Sequence, residues 1–109
     1  MTSELREPTF FMLTALADEP RHGYGIIQEV ERLSEGRTRL RAGTLYAALD
    51  RLGEEGLIEI AREEVVDGRL RRYYRLTQVG SSTLEVESKR RMTISKEALR
   101  RLRLAGGFA

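Results

Sequence analysis

The chain has 109 residues, of which 40% are hydrophobic and 33% charged, so we expect one small domain with a modest core. It contains no cysteine, which excludes disulfides, thiolate zinc sites and a cysteine nucleophile. The net charge is only +2, but every basic residue except Lys89 and Lys96 is arginine. A planar guanidinium suits phosphates and guanine edges, although a codon bias toward arginine would explain the ratio equally well.

No stretch approaches the roughly 18 apolar residues of a membrane span. The first residues, which include two acids and a proline, do not resemble a signal peptide. We therefore expect a cytoplasmic protein with no membrane partner.

Two helices are predicted in the first third of the chain. Pro8 suits the first position of helix one, and Pro20 prevents its continuation. In helix two, Ile26 and Val30 belong to an apolar stripe with helical spacing, and Gly36 lies where a left-handed C-cap is expected.

The middle of the chain predicts a brief strand and a third helix. Residues 37–40 are too few for a helix, so we expect a short strand there. The stretch AGTLYAALDRL then predicts helix three, with three leucines on its buried face and Gly56 as its end.

Asp67-Gly68, between two strand-like segments, is a strong hairpin signal, and Thr77 is expected to cap a last helix that runs to about Leu104. The fold class is therefore mainly α with a small β-hairpin wing, a winged helix–turn–helix plus a long C-terminal helix. We assign residues 1–77 to the winged helix–turn–helix domain and 78–109 to the C-terminal helix with a frayed tail.

Two arginine clusters flank the third helix. They comprise Arg37, Arg39 and Arg41 before the helix, and Arg69, Arg71, Arg72 and Arg75 on the hairpin. No acid follows Asp67 until Glu85, so the hairpin is interpreted as unopposed positive charge, although most charge runs are merely solvated surface. We predict a nucleic-acid partner, with arginines on phosphates and the third helix at base edges.

Several small or polar residues in and near the third helix are candidates for DNA contact. Gly43 permits close backbone approach, while Thr44 can contact a phosphate or base, or else cap the helix. Tyr46 offers a ring and a hydroxyl, or else a half-buried packing role. His22 can contact a phosphate or simply cap the second helix.

Enzymatic and metal chemistry are not expected. His22 has no cysteine, second histidine or acidic cluster beside it, so no metal site is predicted. The serines lack a base and an orienting group, and no phosphate-binding or dinucleotide motif is present. We predict no enzyme and no cofactor.

The segments HGYGIIQEV, GTLYAALDRLGEEGLIE and DGRLRRYYRLTQVG together resemble the PadR family of bacterial transcriptional regulators, over Phe10 to Gly80. The end of the chain resembles the compact subgroup, in which one final helix makes the dimer. The resemblance implies a sequence-specific, homodimeric repressor that binds a palindromic promoter operator in double-stranded DNA. It also implies relief by a small-molecule inducer, whose identity the sequence does not specify.

The resemblance places the third helix in the major groove and the wing on the backbone or minor groove. Together with the arginine clusters, it predicts a DNA-binding set of His22, Tyr24, Arg41, Gly43, Thr44, Tyr46, Arg51, Arg69, Arg71 and Arg72. The chain departs from the family pattern at three positions. Ala42 replaces a common serine cap, Asp50 a common basic residue, and Leu70 a common wing proline.

A dimer is predicted in which the last helix packs against the partner's first helix. The predicted interface comprises Phe10, Phe11, Leu13, Leu84, Met92, Leu99 and Leu102. Serines interrupt the stripe on the last helix, so a strict heptad coiled coil is not supported. The alternative is a last helix folded back on its own domain.

Two other functions stay open at this point. A winged helix can serve as a protein-interaction module that acts on another regulator without reading DNA. The arginine-rich last helix could also lie on an anionic membrane or on nucleic acid without sequence preference.

Overall fold

The computed structural model describes residues 5–106. In chain order the elements are α1 Glu7–Ala15, β1 Arg21–His22, α2 Gly23–Leu33, α3 Ala42–Glu54, β2 Ile58–Val66, β3 Arg69–Leu76 and α4 Gln78–Leu104. The strands form one antiparallel sheet in the order β1-β3-β2. This architecture confirms the predicted winged helix–turn–helix with a long C-terminal helix. The end of the predicted frayed tail, residues 107–109, lies outside the described residues.

The core lies where α1, α2 and α3 meet the base of the hairpin. Its fully buried large side chains include Met12, Leu13, Ile26, Val30, Leu45 and Leu52. The predicted buried faces of α2 and α3 are therefore confirmed. Leu13, which the sequence assigned to a dimer interface, has no exposed surface because it belongs to the protomer's own core.

The predicted boundary signals act as expected. Gly36 has a φ of 81° and donates its N–H to the carbonyl of Glu31 at 2.8 Å, which ends α2. Asp67 and Gly68 have φ values of 52° and 76°, as a two-residue hairpin turn requires. Thr77 Oγ1 accepts the N–H of Gly80 at 3.0 Å and caps α4.

The predicted strand at residues 37–40 is wrong. The backbone there is tied to the end of α2, where the buried Ser34 hydroxyl accepts the N–H of Thr38 at 2.9 Å. The third strand is instead β1, where Arg21 and His22 pair with Tyr74 and Tyr73. Two residues are too few to show the alternating pattern of a strand. β1 forms only because the fold brings Arg21 and His22 to the free edge of β3.

The base of α4 fits tightly against the base of the hairpin. The Thr77 hydroxyl donates to the carbonyl of Gly56 at 2.6 Å, and the Thr77 N–H donates to that of Leu57 at 3.0 Å. A Cβ added at Gly80 would lie 1.9 Å from the same Leu57 oxygen, so only glycine fits there.

The first half of α4 rests on its own domain. Arg91 donates to the carbonyl of Leu5 at 2.8 Å, and its guanidinium lies 4.0 Å from the centre of the Phe10 ring. From Met92 to Gly106 every side chain except that of Glu97 is exposed. The predicted alternative, a helix folded back on its own domain, thus describes the first half of α4 and not the second. Among the helices within residues 5–106, none is both long and apolar enough to cross a membrane.

Candidate nucleic-acid interface

An open groove lies between α3, the start of α2 and the hairpin. It is lined by His22, Gly23, Tyr24, Tyr46, Asp50, Val66, Asp67, Arg69, Leu70, Arg71, Arg72 and Tyr74. Six of the ten predicted DNA-binding residues therefore come together in one place. The other four, Arg41, Gly43, Thr44 and Arg51, lie outside the lining of this groove.

The outer face of α3 is built from small and acidic residues. Gly43, Ala47, Asp50 and Glu54 follow one another at helical spacing, opposite the buried leucines, and all four are exposed. Thr44 flanks this face and is also exposed. The predicted alternative that Thr44 caps α3 is wrong, because Arg41 occupies the cap position and no side chain caps the helix.

Tyr46 has the packing role that was predicted as one alternative, and it is also exposed to the groove, so its contact with DNA stays a prediction. Half of its surface is exposed to the groove, while its ring packs closely over α2. A Cβ added at Gly23 would lie 2.6 Å from the Tyr46 hydroxyl oxygen and 3.2 Å from the Leu45 side chain. Glycine at position 23 therefore allows α2 and α3 to approach each other, and it leaves room for the Tyr46 ring beside α2.

His22 is the N-cap of α2. Its Nδ1 accepts the N–H of Gly25 at 3.2 Å, and its ring packs edge-on against Tyr73 with centroids 5.3 Å apart. Burial lowers the pKa of His22, the positive charge of Arg71 lowers it further, and Glu64 opposes both. The capping role predicted as the alternative is confirmed, and it requires an unprotonated Nδ1.

The hairpin arginines are not all unopposed, so that interpretation of the sequence is wrong. Strand β2 places Glu59 opposite Arg75 and Glu63 opposite Arg72. The carboxylate–guanidinium distances are 2.8 Å and 3.9 Å. The reading along the chain missed these acids because they precede the turn, whereas antiparallel pairing brings them beside the arginines that follow it.

Three arginines of the predicted DNA-binding set keep an unneutralised charge. Arg41, Arg69 and Arg71 form no salt bridge with any carboxylate in residues 5–106. Arg69 and Arg71 line the groove, while Arg41 immediately precedes α3. The free positive charge thus lies on two sides of the exposed face of α3.

Arg51 is directed toward α1. Its guanidinium lies 3.4 Å from the Thr9 hydroxyl and 3.8 Å from the carboxylate of Glu55. It does not line the groove, and its charge is partly balanced. The structure therefore favours Arg51 less than Arg69 or Arg71 as a phosphate ligand.

Arg21 positions the start of α2, a role that was missed in the sequence. Its Nε donates to the carbonyl of Ala15 at 2.7 Å, and its guanidinium pairs with Asp18, Glu19 and Glu29 at 3.4, 3.4 and 3.1 Å. The acids in ADEPRHG were the available signal, but the contribution of Glu29 depends on the fold. Across residues 5–106 no three acids or histidines converge as metal ligands.

The chain is similar to known transcriptional regulators. Residues 12–86 match the model of the transcriptional regulator PadR-like family. Transcriptional regulator Rv3488 of Mycobacterium tuberculosis is 39% identical over 83 residues, which cover 76% of this chain and 74% of that protein.

Solved structures show the same fold. A PadR family regulator from Clostridium difficile is 26% identical with a TM-score of 0.70, over 85% of this chain and 95% of that one. Bacillus subtilis PadR, solved in complex with operator DNA, is 22% identical with a TM-score of 0.62, over 70% of this chain and 44% of that one. This family consists of regulators and not of enzymes. The extent of the family match, together with the winged helix–turn–helix and its groove, shows that the chain belongs to the PadR-like family of transcriptional regulators.

Proposed function

We propose that this regulator is a homodimeric repressor that binds a palindromic operator in promoter DNA in the cytoplasm. Residues 1–77 bind one half-site, with α3 in the major groove and the hairpin on the backbone. Residues 78–109 join the two protomers. Relief by a small-molecule inducer remains a prediction from the family resemblance.

One observation supports this proposal above the others: the unpaired arginines flank the exposed face of α3. Arg69 and Arg71 stand on the hairpin side, and Arg41 stands at the start of the helix. Such charges neutralise phosphates and release counterions, which supplies affinity without sequence preference. The small residues Gly43 and Ala47 leave α3 free to approach the bases.

The exposed second half of α4 supports a dimer. Met92, Leu99 and Leu102 are each about half exposed, with fractions of 52%, 47% and 48%. The structure favours none of the predicted α1 contacts, because the Phe10 ring is covered by Arg91, Leu13 is buried, and Phe11 is partly buried against the protomer core. Leu84 is partly buried and packs against the protomer core, so the structure does not favour it as an interface residue.

Selection of bound sequences from a randomised duplex pool tests the proposal. We expect enrichment of a palindrome with half-sites about 10 base pairs apart, the spacing that a two-fold protein requires. Recovery of a single half-site would contradict the dimer. No enrichment, together with a stable complex with another protein, would contradict operator binding and favour the interaction-module alternative.

The charge assignment is tested on the selected duplex with paired double variants. Arg69→Ala with Arg71→Ala should weaken binding to all sequences and flatten the dependence of log K on log salt by about 0.9 per lost phosphate contact. Arg100→Ala with Arg101→Ala removes the same charge from α4, where both arginines pair with Glu97, and should leave the slope unchanged. Equal slopes for the two double variants would refute the assignment.

A further inference from the structure

Asp50 stands at the centre of the surface that the proposed function directs toward DNA. It is exposed on the outer face of α3, in line with Gly43, Ala47 and Glu54. It also lines the groove, opposite the hairpin residues Arg72 and Tyr74. A carboxylate is an unexpected group on a surface that must approach phosphates.

The Asp50 carboxylate has no ionic partner in the part of the chain that the structure describes. Arg72 lines the same groove but forms its salt bridge with Glu63. Asp50 nevertheless acts on its surroundings, because its negative charge contributes to raising the pKa of Tyr74, after burial and Tyr46. A free charge of this kind adds nothing to folding through pairing, and near phosphates it lowers affinity unless it meets a hydrogen-bond donor.

The major groove offers two amino donors, cytosine N4 and adenine N6. Adenine presents its N7 acceptor beside N6, and this lone pair repels a carboxylate. The cytosine amino group has an acceptor, guanine O6 of its pair, on one side only, whereas adenine N6 lies between N7 and thymine O4. The geometry points to Asp50 as a specificity-determining residue that selects cytosine at one base pair of each half-site.

The neighbouring residues allow so short a side chain to reach a base. A Cβ added at Gly43 would meet nothing within 4 Å, and Ala47, one turn before Asp50, carries only a methyl group. The backbone of α3 can therefore lie deep in a groove about 12 Å wide. This inference rests on the proposed function, because it concerns the same face of α3.

The test repeats the duplex selection with Asp50→Asn and Asp50→Ala. The parent should prefer cytosine at one position of each half-site by roughly tenfold. Asp50→Asn should move that preference to adenine, because an amide pairs with both N6 and N7, and Asp50→Ala should abolish it. Other positions should keep their preferences. Glu85→Gln, an equal charge change on α4 outside the groove, should reproduce the parent.

Three results would overturn the inference while leaving the proposed function intact. If Asp50→Asn binds more tightly but selects the parental sequence, the carboxylate only repels phosphates. If both variants match the parent in sequence and affinity, Asp50 does not contact the operator. A parental preference for adenine at the affected position would also refute cytosine selection. If the parent selects no sequence at all, the proposed function fails as well, so the two failures are distinguishable.

Discussion

The arginines of α4 and those beside the groove belong to one residue type, but they have different surroundings. In α4, Arg90 and Arg91 pair with Glu87, and Arg100 and Arg101 pair with Glu97. Most basic side chains of α4 have a carboxylate partner within the helix, although seven basic and only three acidic residues leave α4 with a net positive charge. Beside the groove, Arg41, Arg69 and Arg71 have no such partner among the described residues, so their charge is available to a polyanion.

The difference follows from the geometry of helices and strands. On a helix, residues three or four apart are neighbours, so a nearby glutamate reaches the arginine without help from the fold. On β3, the residue opposite Arg69 is Val66, and the residue opposite Arg71 is Glu64. Glu64 instead accepts a hydrogen bond from the Tyr73 hydroxyl at 2.6 Å.

The contact between the start of α4 and the base of the hairpin holds the two compared regions together, and we expect its substitution to have the largest effect on stability. Gly80→Ala should lower the free energy of unfolding by about 3 kcal/mol, because the new methyl group would overlap the Leu57 carbonyl. Urea denaturation at fixed protein concentration measures the loss. Gly53→Ala, on an open surface of α3, should instead stabilise the protein slightly. If Gly80→Ala were as stable as the parent, the close contact between Gly80 and the Leu57 carbonyl would not be needed for the packing of α4.

Glu87 tests whether the α4 arginines serve the fold. Its side chain is almost fully buried and accepts from both Arg90 and Arg91. Glu87→Gln should cost about 2 kcal/mol of unfolding free energy, because charge-assisted bonds are lost while the shape is kept. Glu85→Gln, at an exposed pair with Lys89, is the control and should have little effect. If Glu87→Gln also changed the salt dependence of DNA binding, the α4 arginines would take part in DNA binding and would not serve the fold alone.

His22 reports on the free charge of Arg71. Its pKa lies below the usual 6.5, so its cap is fully present above about pH 6.5 and is lost as the pH falls toward the folded-state pKa. His22→Ala should therefore cost about 1 kcal/mol at neutral pH, and this cost should shrink in acid. His22→Asn should keep a cap without that pH dependence.

The same histidine can be titrated by NMR to compare the two regions directly. Arg71→Ala should raise the His22 pKa, because the arginine charge helps to lower it. Arg100→Ala, on α4, should leave it unchanged. An unchanged His22 pKa in Arg71→Ala would show that the Arg71 charge does not act on this histidine.

Most of the fold was predictable because its signals are local. The proline and glycine boundaries of the helices, the Asp67-Gly68 turn and the Thr77 cap depend only on residues a few positions apart. The buried leucines of α3 followed from helical spacing alone. The predicted strand at 37–40 failed because its backbone is held by Ser34, while β1 forms against a strand some fifty residues later.

The candidate site was only partly predictable, since its charges depend on pairing across the fold. The amino-acid sequence itself provided the residue types that line the groove, the order of the helices and the hairpin that form it, and the family resemblance. Only the tertiary structure decided that Arg75 pairs with Glu59, and that neither Arg71 nor the groove-facing Asp50 has an ionic partner within residues 5–106. The physical reason is that helix and turn preferences act between near neighbours, whereas cross-strand and helix-to-helix contacts exist only after the chain has folded.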